Sequence, residues 1–333
     1  MSQSVRILLS PQSRQALATP IAAVMGERQF ELLTVADLLD SSSAQTGVDL
    51  AFISREVTGL STKHETTVQT QAFYDALRRS SDLQWLHIHS AGADRPIYLE
   101  LRARGVQVST SSGANAEVVA QTALAGLLAL ARRFPQLMAA QREQRWAPLV
   151  NQLPRDLAGQ TAVIVGWGPI GQRVGEFLKL LGLKLIVVRR ELNQVAGPGI
   201  ETVSFTQLHS VLPRADWLLL ACPLTDQTRG LVNAQVLAAL PPAASLINVA
   251  RGEVVVEQDL IDALHQGRLG GAFLDVFQHE PLRRDSALWG LDNVIVTPHS
   301  AGHSDGNPRR VADIFMANLA RWQAGQALQN CIA

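Results

Sequence analysis

The stretch TAVIVGWGPIG, residues 161–171, decides how the rest of the chain is read. An apolar run, 161–165, leads directly into Gly166-Trp167-Gly168-Pro169-Ile170-Gly171, a G-x-G-x-x-G pattern, and a helix is expected over 170–181. Glycines spaced in this way also occur in ordinary turns; a strand before them and a helix after them is the setting of a phosphate-binding turn. Gly166 permits the tight turn, Gly168 lets the backbone approach a diphosphate, and Gly171 lets helix and strand pack closely. The phosphates then meet the free N–H groups at the positive end of the helix, with Pro169 and Ile170 at its opening.

Working outward, the same alternation continues. Apolar runs at 185–188, 217–222, 245–249, 271–277 and 293–297 are each bounded by segments long enough for a helix, such as 233–240 and 257–266. Runs that are apolar on both faces fit strands of a sheet covered on both sides, and their alternation with helices predicts a parallel, doubly wound α/β sheet. A shorter version precedes it, with strands expected at 5–9, 30–34, 50–53, 86–89 and 106–109. Near the other end, Pro308 can open a helix along which Val311, Ile314, Phe315, Leu319 and Trp322 recur at helical spacing. This stripe is expected to pack on the N-terminal domain, which makes that domain discontinuous: 1–103 with 301–333, around a dinucleotide-binding domain at 104–300.

Composition narrows the classes. A chain of 333 residues, 47% hydrophobic, can bury a sizeable core and divide into about two domains. Lys plus Arg equals Asp plus Glu at 29 each, so no overall field favours nucleic acid or an anionic membrane. The apolar run near the start ends at Ser10 and Pro11, too short for a signal peptide, and the expected location is the cytoplasm. Residues 118–130, although apolar, fall short of the roughly 20 residues needed to cross a bilayer and read as a buried helix. Two cysteines, Cys222 and Cys331, form neither a disulfide framework nor a metal-ligand cluster, and no metal is expected.

At the end of the second strand of this sheet, where an acidic side chain would meet the ribose of NAD(H), stand Arg189 and Arg190, with Glu191 one place late. Two guanidinium groups suit a 2′-phosphate, so NADP(H) is the preferred cofactor. NAD(H) stays possible if the pair is a solvated strand end and Glu191 takes the ribose.

Three ionisable residues follow late strands: Arg251 after 245–250, Glu280 after 271–277 and His299 after 293–298. Singly, each has an ordinary reading as a surface ion pair, a turn, or a histidine satisfying a carbonyl. Together with their surroundings, NVARGE (248–253), LDVF (274–277) with EPL (280–282), and TPH (297–299), they resemble the signature blocks of the D-isomer-specific 2-hydroxyacid dehydrogenase family. CPLT (222–225) and TRGLVN (228–233) fit the same family in the right order, and the resemblance covers nearly the whole chain.

The resemblance implies a Rossmann cofactor domain beside a smaller, discontinuous, flavodoxin-like α/β substrate domain, with a cleft between them that closes over the hydride transfer. It implies that Arg251 holds the substrate carboxylate and polarises the 2-oxo group, and that His299 donates the proton in reduction and removes it in oxidation. Glu280 is implied as the histidine's partner, its negative charge favouring the imidazolium. Cys222, Pro223, Thr228, Val249, Ala250 and Asp275 are implied at the cofactor, with the Asp275 carboxylate toward the nicotinamide amide. SAGAD (90–94) resembles the family's G-V-D turn, with Ala93 for valine, so Gly92 and Ala93 are the candidates to bind the substrate carboxylate through backbone N–H groups. Arg55 and His89 are further candidates for the cleft. Trp146 lies where relatives reach into a neighbouring subunit, and a homodimer is implied.

The expected activity is reduction of glyoxylate, hydroxypyruvate or a similar 2-oxo acid by NADPH. Two alternatives stand beside it: NAD-dependent oxidation of a D-2-hydroxy acid such as D-3-phosphoglycerate, and a cofactor-sensing binding module of the same fold. No basic cluster for a phosphorylated substrate is evident in the first hundred residues. Retention of Arg251, Glu280 and His299 together argues against a purely binding role.

Overall fold

The computed structural model describes residues 4–40, 47–151, 153–190 and 196–332. The chain divides into two compact units, Met1–Asn115 with Ser304–Ala333, and Ala116–His303.

The first unit is built on β1 (Val5–Leu8), β2 (Phe30–Leu33), β3 (Leu50–Ile53), β4 (Trp85–Ile88) and β5 (Gln107–Thr110). They form one parallel sheet in the order β2-β1-β3-β4-β5, a flavodoxin-like order whose reversal falls between β1 and β3. Every residue of β1, β3 and β4 is buried, because helices cover both faces. Successive residues point to opposite sides: Leu8, Ala51, Ile53 and Leu86 enter one apolar cluster, and Ile7, Leu50, Phe52 and Trp85 the other. The C-terminal helix Asn307–Gln323 closes the second cluster with the stripe read from the sequence. Val311, Phe315 and Leu319 are buried, and the Phe315 ring stacks on Phe52 at 4.6 Å and on Trp85 at 5.5 Å. Because β5 pairs with β4, a boundary at 103/104 cuts inside this unit, and the chain leaves it only after Asn115.

The second unit carries β6 (Thr161–Val165), β7 (Lys184–Val188), β8 (Glu201–Val203), β9 (Trp217–Leu220), β10 (Ser245–Asn248), β11 (Gly271–Leu274) and β12 (Val294–Val296). All pair in parallel in the order β12-β11-β10-β9-β6-β7-β8. The chain reverses direction of winding between β9 and β6, which makes the C-terminal end of β6 the expected mouth of a crevice. The edge strand β8 was not anticipated; ETV is too short and too polar to register as an apolar run. The helix Ala116–Ala131 lies flat on this sheet, and Gly126 allows it, since a Cβ there would overlap the Phe273 ring. No helix among the described residues is long and apolar enough to cross a membrane.

Candidate active site

The glycine turn behaves as its spacing implies. Gly166 has φ +98°, and a Cβ on it would come within 2.7 Å of Ala221 O and of the Cys222 backbone. A Cβ on Gly171 would overlap the carbonyl of Gly166, so helix Pro169–Leu180 can approach β6 only with glycine there. Gly168 differs: it is the N-cap of that helix, and a Cβ on it meets nothing within 4 Å. The space beside Gly168 is therefore open at a positive helix end, with Pro169 and Ile170 opening the helix. That cradle fits the diphosphate of a nicotinamide dinucleotide.

Other candidates surround this turn. Gly166 N–H donates to Val188 O at 2.8 Å, so Arg189 and Arg190 begin one residue from the contact. Glu191 lies outside the described residues. Pro223 is exposed, and the Thr228 hydroxyl donates to Pro223 O at 2.7 Å and accepts from Thr225 N–H at 2.8 Å, which shapes their loop. The Cys222 side chain sits in the core; burial pushes its thiol up to about 12, so it is a packing group beneath the turn.

The catalytic candidates emerge from the aligned C-terminal ends of β10, β11 and β12, where Asn248, Leu274 and Val296 stand in register. Buried Asn248 shapes the first loop, its Oδ1 accepting from Ala250 N–H at 3.1 Å and its Nδ2 donating to Arg251 O at 3.1 Å. Val249 and Ala250 are buried behind Arg251, whose Nη1 donates to Ala250 O at 2.7 Å. The next residue, Gly252, has no room for a Cβ against the Phe277 backbone, so the Arg251 loop is pressed onto the segment leading to Glu280. Glu280 Oε1 accepts from Phe277 N–H at 3.1 Å, which aims Oε2 at His299 Nδ1, 2.7 Å away.

His299 stands at φ +49°, a left-handed conformation that is costly for a side chain with a Cβ. Asp275 holds it there. Its carbonyl accepts His299 N–H at 2.8 Å, while Oδ1 accepts from the Thr297 hydroxyl at 2.7 Å and from Ser300 N–H at 2.9 Å. Both carboxylate oxygens also accept from Ala301 N–H at 3.1 Å. Burial raises the Asp275 carboxyl above its ordinary value against these hydrogen bonds. The expectation set this carboxylate toward a nicotinamide amide; here it secures the loop that carries His299. Asn248, Gly252 and Thr297 had been quoted in the sequence only as parts of blocks. Their signal was a polar or glycine residue at the end of an apolar strand.

In the first unit, Ser90 Oγ donates to Gly92 O at 2.7 Å and rigidifies the Gly92–Ala93 turn beyond β4. His89 Nε2 pairs with Thr58 Oγ1 at 2.9 Å. Trp146 is 95% exposed in the second unit.

With this geometry in place, the comparisons are specific. The model of the D-isomer specific 2-hydroxyacid dehydrogenase NAD binding domain matches residues 124–301. Glyoxylate/hydroxypyruvate reductase A of Arabidopsis thaliana is 33% identical over 251 residues, covering 74% of this chain and 79% of the relative. A D-isomer specific 2-hydroxyacid dehydrogenase of Xanthobacter autotrophicus, solved in complex with NADPH and MES, matches with TM-score 0.75 at 27% identity over 100% of this chain and 98% of that one. An NADPH-dependent glyoxylate/hydroxypyruvate reductase of Sinorhizobium meliloti, solved with NADP and sulfate, matches with TM-score 0.74 at 26% identity over 99% and 98%. A glycine cradle for a dinucleotide, a histidine–carboxylate pair and these matches lead to one conclusion: the chain belongs to the D-isomer specific 2-hydroxyacid dehydrogenase family and is an NAD(P)-dependent oxidoreductase of the 2-oxo acid reductase kind.

Proposed function

We propose that this enzyme reduces glyoxylate, hydroxypyruvate or a similarly short 2-oxo acid to the D-2-hydroxy acid, with NADP(H) preferred to NAD(H). The observation that carries the reading is the His299–Glu280 pair on a backbone held in the left-handed region. A carboxylate on Nδ1 settles that nitrogen as the N–H donor and leaves Nε2 to hand a proton to a substrate oxygen or take one back. Arg251 supplies a fixed positive fork for the substrate carboxylate and the 2-oxo oxygen. When bound, the nicotinamide supplies the hydride. The preference for NADP(H) is supported by Arg189 and Arg190 at the end of β7 and by the NADP complexes of the two bacterial relatives. Two copies of the chain are proposed to associate, and the exposed Trp146, Val150 and Leu153 support that.

The test is loss of NADPH absorbance with a panel of 2-oxo acids, repeated with NADH and with His299→Ala. We expect turnover of glyoxylate or hydroxypyruvate and a Michaelis constant for NADPH at least about 10-fold below that for NADH. The variant should lose about 100-fold to 10,000-fold in turnover while binding NADPH almost as well. A preference for NADH removes the cofactor assignment, and full turnover by the variant removes the mechanism.

A further inference from the structure

The aim of Glu280 at His299 depends on the peptide that joins Phe277 to Gln278. The Phe277 side chain is buried in the core of the second unit, and its N–H is taken by Glu280 Oε1 at 3.1 Å. The place of Phe277 therefore sets where the other oxygen of that carboxylate points. On the peptide that follows, two restraints meet. A Cβ on Gly252 would overlap Phe277 C and O and Gln278 N, so the loop after Arg251 presses on it directly. Glu257 Oε2 accepts its N–H, from Gln278, at 3.2 Å.

Glu257 opens the helix Glu257–His265, whose first turn also carries Asp259. The positive end of a helix favours an acid at either position, but the two carboxylates reach different places. Asp259 Oδ2 accepts from Ala234 N–H at 2.7 Å and ties the helix to the segment that begins at Asn233, whereas Glu257 reaches the turn that carries Glu280. Gln278 is exposed, so without Glu257 its N–H would turn to water and only packing would hold the peptide. The contact at stake is short: Glu280 Oε2 stands 2.7 Å from His299 Nδ1, and a hydrogen bond of that length weakens steeply as its atoms part or tilt.

We propose that Glu257 is a positioning residue for the proton-transfer pair: it holds the Phe277–Gln278 peptide so that Glu280 Oε2 stays on His299 Nδ1. The inference deepens the proposed function and rests on its reading of His299 as the group that gives and takes the proton. The acids that meet the His299 loop are Glu280, at Nδ1, and Asp275, whose carboxylate is taken up by Thr297, Ser300 and Ala301. Glu257 acts on the imidazole only through the first of them.

The experiment compares Glu257→Ala, Glu257→Gln and Asp259→Ala with wild type in two ways: the pH dependence of kcat/KM for 2-oxo acid reduction, and the titration of the His299 imidazole by NMR, its signal assigned by its loss in His299→Ala. Glu257 is only partly buried and alanine suits a helix, so all three variants are expected to fold. When Glu280 leaves Nδ1 the imidazolium loses its partner and gives up its proton at lower pH. We expect the alkaline limb of kcat/KM and the NMR midpoint to fall by about half to one pH unit in Glu257→Ala. Both should stay at the wild-type value in Glu257→Gln, which keeps an acceptor oxygen, and in Asp259→Ala, which loosens the same helix end away from the catalytic loop. An unmoved midpoint in Glu257→Ala overturns the proposal. So does an equal fall in Glu257→Gln, which would make the effect one of charge, or in Asp259→Ala, which would make it general loosening. An enzyme that reduces no 2-oxo acid yet shows the NMR shift in Glu257→Ala only would end the reductase reading and keep the positioning role.

Discussion

At the scale of single residues, three glycines within six positions have three separate reasons to be glycine, and substitution can tell them apart. Gly166 is fixed by a positive φ and a backbone 2.7 Å from where its Cβ would stand, whereas Gly168 faces open space at an ordinary φ of −79°. Gly166→Ala should therefore destabilise the protein by about 1–3 kcal/mol. Gly168→Val should cost less than about 0.5 kcal/mol of stability and weaken NADPH binding at least about 10-fold. Urea unfolding and a fluorescence titration with NADPH measure the two effects, and undiminished binding by Gly168→Val would mean that no phosphate lies at that turn. The roles of these glycines were legible in the sequence because they follow from spacing and steric freedom alone. The hold of Asp275 on the His299 loop was not, since a carboxylate's partners, here Thr297, Ser300 and Ala301, cannot be read from the strand that carries it.

At the scale of elements, β4 and β5 share a buried polar chain whose order of protons is determined. Ser111 Oγ donates to Ile88 O at 3.0 Å, so it accepts from His87 Nε2 at 3.0 Å. His87 Nδ1 then accepts from the Ser109 hydroxyl at 2.8 Å, whose oxygen receives Trp85 Nε1–H at 2.8 Å. Each proton has one acceptor only while the imidazole is neutral, and burial, with the charge of His89 adding to it, pushes its pKa down to about 3. The unfolded chain takes up a proton there below pH 6.5, but the folded one does not until about 3. Stability from this group is thus present above pH 6.5 and lost as pH falls toward 3, at up to about 1.4 kcal/mol per pH unit and on the order of 5 kcal/mol in all. Urea unfolding followed between about pH 7 and pH 4 should show a steeper loss in wild type than in His87→Gln, by close to one proton. Parallel curves would show that the folded chain protonates His87 as readily as the unfolded one, so that burial does not hold the imidazole neutral. The strands themselves were legible, because every apolar run named from the sequence overlaps one; the network was not, since alternation marks His87 only as one more residue in a buried strand.

At the scale of the whole molecule, the second unit exposes large apolar side chains along one stretch of chain, Phe134, Met138, Trp146, Val150 and Leu153, more than an isolated monomer usually presents in one place. Sedimentation equilibrium should return twice the chain mass of 36.0 kDa, and Trp146→Glu combined with Leu153→Glu should shift the population toward the single chain. A wild-type protein that sediments at 36.0 kDa would exclude the dimer. By itself the sequence determined every strand but the short edge strand β8, the glycine turn, the helical stripe that returns to the first sheet, and the order of the blocks carrying Arg251, Glu280 and His299. Each of those is a property of consecutive residues, through periodicity, steric freedom or spacing. Only the tertiary structure decided which polar groups meet: Glu280 with His299, and Asp275 with the loop beyond β12. Electrostatic partners act through space over a few ångströms, and parallel strands bring together residues that lie far apart along the chain.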